Sequence, residues 1–353
     1  MNKEFTKEVE KIIRVNLGNN NFRWSSTVGL YKDKETVVML ITGDHYKENM
    51  QNNAACFEGW AAVLKTYFMD KNYNFVKLKC VEIPSPSPEK GILENEHANR
   101  FLYRALRFSQ QYKDWFRLED DLQGKVNEFE KYLEGHKGEH KEKLLNNLPG
   151  DKFDGEYKND GINMFTESIM EKFIYEHKED VLSPLFKDSK NIIVNRQMPV
   201  GLFEGSVEKQ NKIFTGGKSA IDLWAYDPAK PEEFSVFELK FQNKMIGIIS
   251  EIFFYANYMY DLLNKQGSFT LNVKEDDASA KRGYGTLIKE CNDKIEKINA
   301  VMLADYENMH PVITSKLLET LNGNDGRRIK YSAEKYKVGR IEVVGDIEIL
   351  NNN

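Results

Sequence analysis

Two short apolar runs with charges in their middle constrain this chain more than any other feature. Residues 212–226 include Ala-Ile-Asp-Leu-Trp-Ala, and residues 234–242 read Phe-Ser-Val-Phe-Glu-Leu-Lys-Phe-Gln. Both have the β-branched and aromatic content of buried strands, and a polar turn with two prolines separates them. The run that follows, 243–263, is apolar almost all round, which marks a buried helix. Asp222, Glu238 and Lys240 therefore stand where greasy side chains are expected. A polar group buried in such a strand is costly unless something uses it.

Residues two apart in a strand share a face. Glu238 and Lys240 thus point one way, and Phe237, Leu239 and Phe241 the other. Asp222 sits between Ile221 and Leu223 on the neighbouring run, and an antiparallel hairpin would bring it close to Glu238. Two adjacent carboxylates repel unless a cation lies between them. A hard divalent ion with oxygen ligands, Mg²⁺ or Mn²⁺, suits that place, with the Leu239 carbonyl as a further oxygen. A lysine beside it can orient or deprotonate a water, or neutralise charge developing on a phosphate. Carboxylates, metal and lysine together make a site for phosphodiester hydrolysis. The alternative for the same residues is a buried ion-pair network without chemistry.

The set Asp222, then Glu238-Leu239-Lys240 across a hairpin, resembles the core of the PD-(D/E)xK nuclease superfamily, which includes restriction endonucleases and RecB-like exonucleases. The flanking order agrees: a helix with an acid, Glu167, comes before the hairpin and an apolar helix comes after it. The resemblance covers about residues 160–305 and implies an α/β (α+β) chain with a restriction-endonuclease-like central mixed sheet flanked by helices. It implies Asp222, Glu238, Leu239 and Glu167 as ligands of Mg²⁺ or Mn²⁺, and Lys240 as the catalytic lysine. Gln242, two past Lys240, is a water- or substrate-positioning candidate. RecB-like members carry Gln-x-x-x-Tyr on the next helix. Here Glu251 and Tyr255 stand at those places, so the tyrosine agrees and the glutamate departs. Lys218 is a further candidate for substrate contact. The Gly216-Gly217-Lys218-Ser219 run is not a phosphate-binding loop, because residue 212 is Lys and the turn enters a strand rather than a helix.

At 353 residues two domains are expected. A stretch rich in Gly, Asp and Lys at 149–159 suggests a boundary, with an α+β domain over 1–150 and the nuclease-like domain over 160–353. The first half reads as a helix at 1–17, a hairpin from 26–31 and 35–42, helices at 52–69 and 95–116, a strand at 75–83, and a charged helical region at 118–148. Arg100, Arg104 and Arg107 share one helix face, either as a solvated, acid-paired surface or as a phosphate-contacting ridge. His136 and His140 are four apart but lack a third ligand. In the second half, helix 161–177 puts Glu167 at the edge of its apolar face and Glu171 further out. Strands at 191–203 and 298–305, a helix at 312–321 and late strands at 328–331 and 339–344 complete the pattern.

A 41% hydrophobic and 30% charged composition is that of a soluble globular protein. No run approaches the ~20 apolar residues of a membrane span, and the charged N-terminus lacks an apolar export signal. Cys56, Cys80 and Cys291 are isolated, as suits a reducing cytoplasm. The net charge of −5 excludes indiscriminate coating of duplex DNA but not an enzyme with a local basic groove. The expected partner is nucleic acid, DNA ahead of RNA. A homodimer and a protein partner for the first domain stay open, and a role in bacterial restriction or anti-phage defence follows from fold analogy alone. The competing functions are a catalytically silent module that keeps the fold and a nuclease for RNA or junctions.

Overall fold

The computed structural model describes residues 2–350 apart from 70–71, 138–141, 149–165, 183–184, 187–188, 190, 216–218, 274–281, 324–325, 327 and 339–346. The boundary stretch at 149–159, Lys218, His140 and the whole 339–344 strand lie outside the described residues. Two units emerge: 1–141 with 245–253 and 310–327, and 142–244 with 254–309 and 328–353. A single cut between 150 and 160 therefore does not describe the division, because segments from far along the chain complete the first unit.

The first unit is a mixed sheet with helices. Helix α1 (Lys3–Leu17) starts on Asn2, whose side chain accepts from the Phe5 amide, and stops at Gly18 in the left-handed conformation. Strands β1 (Gly29–Asp33) and β2 (Thr36–Ile41) form the expected hairpin, and β3 (Phe75–Cys80) and β4 (Phe116–Leu118) extend it in parallel. Helices α2 (Phe57–Tyr67), α3 (Glu96–Gln111) and α4 (Asp120–Gly135) alternate with these strands. The late helix α9 (Ser315–Asn322) packs on α2. The Thr66 hydroxyl donates to Thr320 Oγ1 at 2.8 Å, and the Tyr67 hydroxyl reaches the Val312 carbonyl at 2.8 Å.

The arginine stripe is neither of the two surfaces expected of it. Arg100, Arg104 and Arg107 are 6%, 1% and 5% exposed, so they form part of the interior. Arg104 grips the buried Glu58 of α2 through both Nε and a terminal nitrogen, and also donates to the Ala55 carbonyl at 2.8 Å. Ser250 Oγ donates to the same Glu58 carboxylate at 2.8 Å.

The second unit is also mixed. Helices α5 (Glu167–Glu176) and α6 (Lys178–Val181) precede β6 (Ile193–Pro199). Strands β5 (Leu144–Asn146), β7 (Leu202–Glu204) and β8 (Lys212–Phe214) form a small antiparallel sheet. The 212–226 run is therefore two strands in two sheets, because β9 (Ala220–Tyr226) belongs to the main one. That sheet orders β13 (Ile347–Leu350), β12 (Ile329–Val338), β11 (Lys297–Asp305), β10 (Glu233–Lys240), β9 and β6. β9 runs antiparallel to both β6 and β10, and β10, β11 and β12 are parallel. The connection from β10 to β11 holds helix α7 (Gly247–Leu263), of which 247–253 belong to the first unit and 254–263 to the second, and the short α8 (Tyr284–Thr286). One face of the sheet packs Leu223, Phe237, Leu239, Val301 and Leu303 against Met170, Phe173 and Ile174 of α5.

All three cysteines are free and buried, and burial pushes the Cys80 and Cys291 thiols up to about 12. Among the described residues, no helix is long and apolar enough to cross a membrane.

Candidate active site

Strands β9 and β10 pair from Phe234↔Tyr226 to Phe237↔Leu223. One step further along that register, Asp222 comes opposite Glu238. The ladder opens there. Asp222 Oδ2 instead accepts the Leu239 amide at 2.8 Å. In an extended strand a residue's amide and carbonyl point to the same edge, so the Leu239 carbonyl also faces the β9 side.

Alternation puts Glu238 and Lys240 on the face opposite Phe237 and Leu239, as their spacing predicts. Both are buried, at 3% and 2% exposure, and Lys240 Nζ donates to Glu238 Oε1 at 2.5 Å. The same ammonium lies 3.8 Å from Glu167 Oε1. Glu167 opens α5, whose start is set by Thr166 Oγ1 accepting from the Ile169 amide. The Tyr336 hydroxyl holds the Lys240 carbonyl at 3.0 Å. Lys240 is thus fixed at both its backbone and its head.

The Asp222 carboxyl is raised well above the ordinary aspartate value. Desolvation is the largest cause; Lys240 offsets it in part, and Glu167 and Glu171 push it further up. Four carboxylates, Asp222, Glu238, Glu167 and Glu171, are set against two cations, Lys240 and Arg196. A hard divalent cation suits that excess and that all-oxygen donor set. Among the described residues no three acidic, histidine or cysteine side chains stand together tightly enough to enclose an ion. The ammonium of Lys240 lies between two of the acids instead.

Glu171 corrects the helix-wheel expectation. It does not point outward but is 3% exposed, bonded by the Gln197 amide and by Arg196 at 3.4 Å. Its partner Gln197 lies on β6 between the pairs Arg196↔Leu223 and Met198↔Ile221, which is across from Asp222. Gln197 adopts φ +54°, an uncommon conformation for a residue with a Cβ. Charge alone could have flagged Glu171, but only Arg196 and Gln197 on a distant strand make its burial tolerable.

Burial raises Glu171 to about 7, against an ordinary 4.5. Because the folded state favours its protonated form, the stability present below pH 4.5 is lost as pH rises to about 7. Thermal melts across that window should show the wild type losing about 3 kcal/mol relative to Glu171→Gln. Parallel curves would show that Glu171 titrates normally.

Gln242 does not share the strand face of Lys240. Strand β10 ends at Lys240, and Gln242 is exposed at φ +53°, its backbone amide donating to Asp305 Oδ2 at 2.7 Å. Gln242→Gly keeps that amide and removes the Cβ. Its melting free energy should stay within about 1 kcal/mol of wild type, and any activity of the site should be unchanged. A collapse in activity would restore the side chain to the site.

Glu251 and Tyr255 each have a polar partner of their own. Glu251 belongs to the first unit and accepts from Gln51 Nε2 at 2.8 Å. Tyr255 belongs to the second, where its hydroxyl meets Ser219 Oγ at 3.4 Å. Set against known protein families, curated proteins and solved structures, the chain matches none of them.

Proposed function

We propose that the second unit is a metal-dependent nuclease of restriction-endonuclease-like architecture that hydrolyses phosphodiester bonds, in DNA first. One observation carries the reading: Asp222 and the Glu238-x-Lys240 pair meet where the β9–β10 ladder opens, and Glu167 of the preceding helix reaches the same lysine. The succession of acid-bearing helix, hairpin, apolar helix and parallel strand supports it. The charge excess also favours chemistry over a structural network, since a network evolved for stability would balance its buried charges.

A bound Mg²⁺ or Mn²⁺ would polarise a phosphoryl oxygen and acidify a water. Asp222, Glu238, Glu167 and the Leu239 carbonyl are the groups that would hold it. The chain's own contribution is preorganisation. Tyr336 and Glu238 fix Lys240 so that its ammonium can face charge developing on a phosphate without reorganising.

The test is cleavage of plasmid, linear and single-stranded DNA and of RNA by the purified protein, with Mg²⁺ or Mn²⁺ and with a chelator. Metal-dependent cleavage is expected. Cleavage that survives chelation would sink the reading, and a lack of cleavage on all substrates would favour the silent module.

A further inference from the structure

The sheet face covered by α5 changes character along its strands. Toward the carboxyl ends of β10 and β11 it is apolar, with Phe237, Leu239, Val301 and Leu303 in the core. Toward their amino ends the same face carries Ser235, Asn299 and, on β12, Lys330 and Ser332. The register aligns the change, since Ser235 pairs with Asn299 and Asn299 with Lys330. Central strands of a parallel sheet are ordinarily apolar on both faces. Here the polar patch floors a cavity of about 490 Å³, a size suited to a small molecule.

Some of its groups already satisfy one another. Glu233 accepts from Lys297 Nζ at 2.8 Å and from Asn299 Nδ2 at 3.0 Å. Others do not. Ser235 is 4% exposed, and its hydroxyl has no hydrogen-bond partner among the described residues. Glu334, opposite Leu303 on β11, also lines the cavity, likewise without a partner among the described residues, and burial alone raises its carboxyl above the ordinary value. Lys230, in the turn between β9 and β10, and Lys330 are exposed and form no ion pair with a described residue. The ring of Phe186 stands 6.3 Å from that of Phe237 along the wall.

A half-buried carboxylate lacking a partner calls for donors, and lysines at the far rim call for an anion. Glu334 and Lys330 are four residues apart on one strand, about 13 Å, which leaves room for a base at one end and a phosphate at the other. Guanine is the common base with two adjacent donors on one edge, which matches a carboxylate bidentately. We propose that this cavity binds a guanine mononucleotide, with the base against Phe186 and donating to Glu334, the ribose over Ser235, and the phosphate held by Lys230 and Lys330. The inference does not depend on the nuclease reading, because the cavity is lined by Glu233, Ser235 and Phe237, on the opposite face of β10 from Glu238 and Lys240.

Calorimetric titration of the intact protein tests it, with guanosine 5′-monophosphate, adenosine 5′-monophosphate, guanosine and inorganic phosphate as probes. The guanine nucleotide should bind at least about tenfold more tightly than each of the others, the scale of one lost charged hydrogen bond. Glu334→Gln should abolish the preference for guanine over adenine. Lys330→Ala should weaken the nucleotide about tenfold and leave guanosine unchanged. Both variants alter groups without partners, so matching melting curves confirm that they fold. Failure of the guanine nucleotide to bind, or binding indifferent to both variants, would overturn the proposal. Binding lost in Asp222→Asn but kept in Lys330→Ala would overturn it too, by placing the nucleotide at the hairpin.

Discussion

Asp222→Asn should reduce metal-dependent cleavage by about 10²-fold or more while leaving the melting temperature close to wild type. The amide oxygen can still accept the Leu239 amide, which Asp222 holds at 2.8 Å, so the hairpin keeps its local geometry. What disappears is one negative charge from a desolvated cluster in which Glu167 and Glu171 already repel Asp222. Loss of a charged oxygen ligand weakens a hard cation's site, so part of the rate should return at higher Mg²⁺. Lys240→Ala is the less clean variant. It would strand the carboxylate of Glu238, which is 3% exposed and bonded to Lys240 Nζ at 2.5 Å, and so would lower stability and activity together. Rates measured against Mg²⁺ concentration, with circular dichroism on the same samples, separate the two effects. Unimpaired cleavage by Asp222→Asn would remove Asp222 from the site.

Glu58→Ala should be the most damaging single change to the first unit, at about 3–5 kcal/mol. Arg104 is 1% exposed and has Glu58 as its charge partner through two nitrogens. Removing the carboxylate leaves a guanidinium in the interior with the Ala55 carbonyl as its remaining acceptor among the described residues, and it also strips Ser250 of its acceptor. The corresponding fall in melting temperature is about 10 °C. Replacing both partners with apolar residues of similar volume, Glu58→Leu with Arg104→Met, should recover most of the loss, because neither charge is then stranded. A single-variant loss under about 1 kcal/mol would mean that water reaches the pair.

These two clusters differ in how far the sequence foretells them. The hairpin acids are readable because strand alternation is local: Glu238 and Lys240 must share a face whatever packs on it. The antiparallel pairing of β9 with β10 and the apolar nature of α7 also follow from runs of neighbouring residues. The arginine stripe has an equally clear period of three and four, yet period alone gives no sign of burial. Glu58, 46 residues earlier, turns that charged face inward.

The same physical distinction decides the remaining details. From its sequence alone, the chain determines that a mixed α+β protein carries Asp222, Glu238 and Lys240 on an apolar hairpin, with Glu167 on the helix before it. Tertiary structure decides that Glu171 is buried, because Arg196 and Gln197 come to it from β6. It removes Gln242 from the strand face, because β10 stops at Lys240, and it gives Glu251 a partner in Gln51, 200 residues earlier. It also sets Ser235 and Asn299 side by side with Lys330 beneath a cavity. Periodicity is written in adjacent residues, whereas the solvation of a charge depends on groups that only folding brings near it.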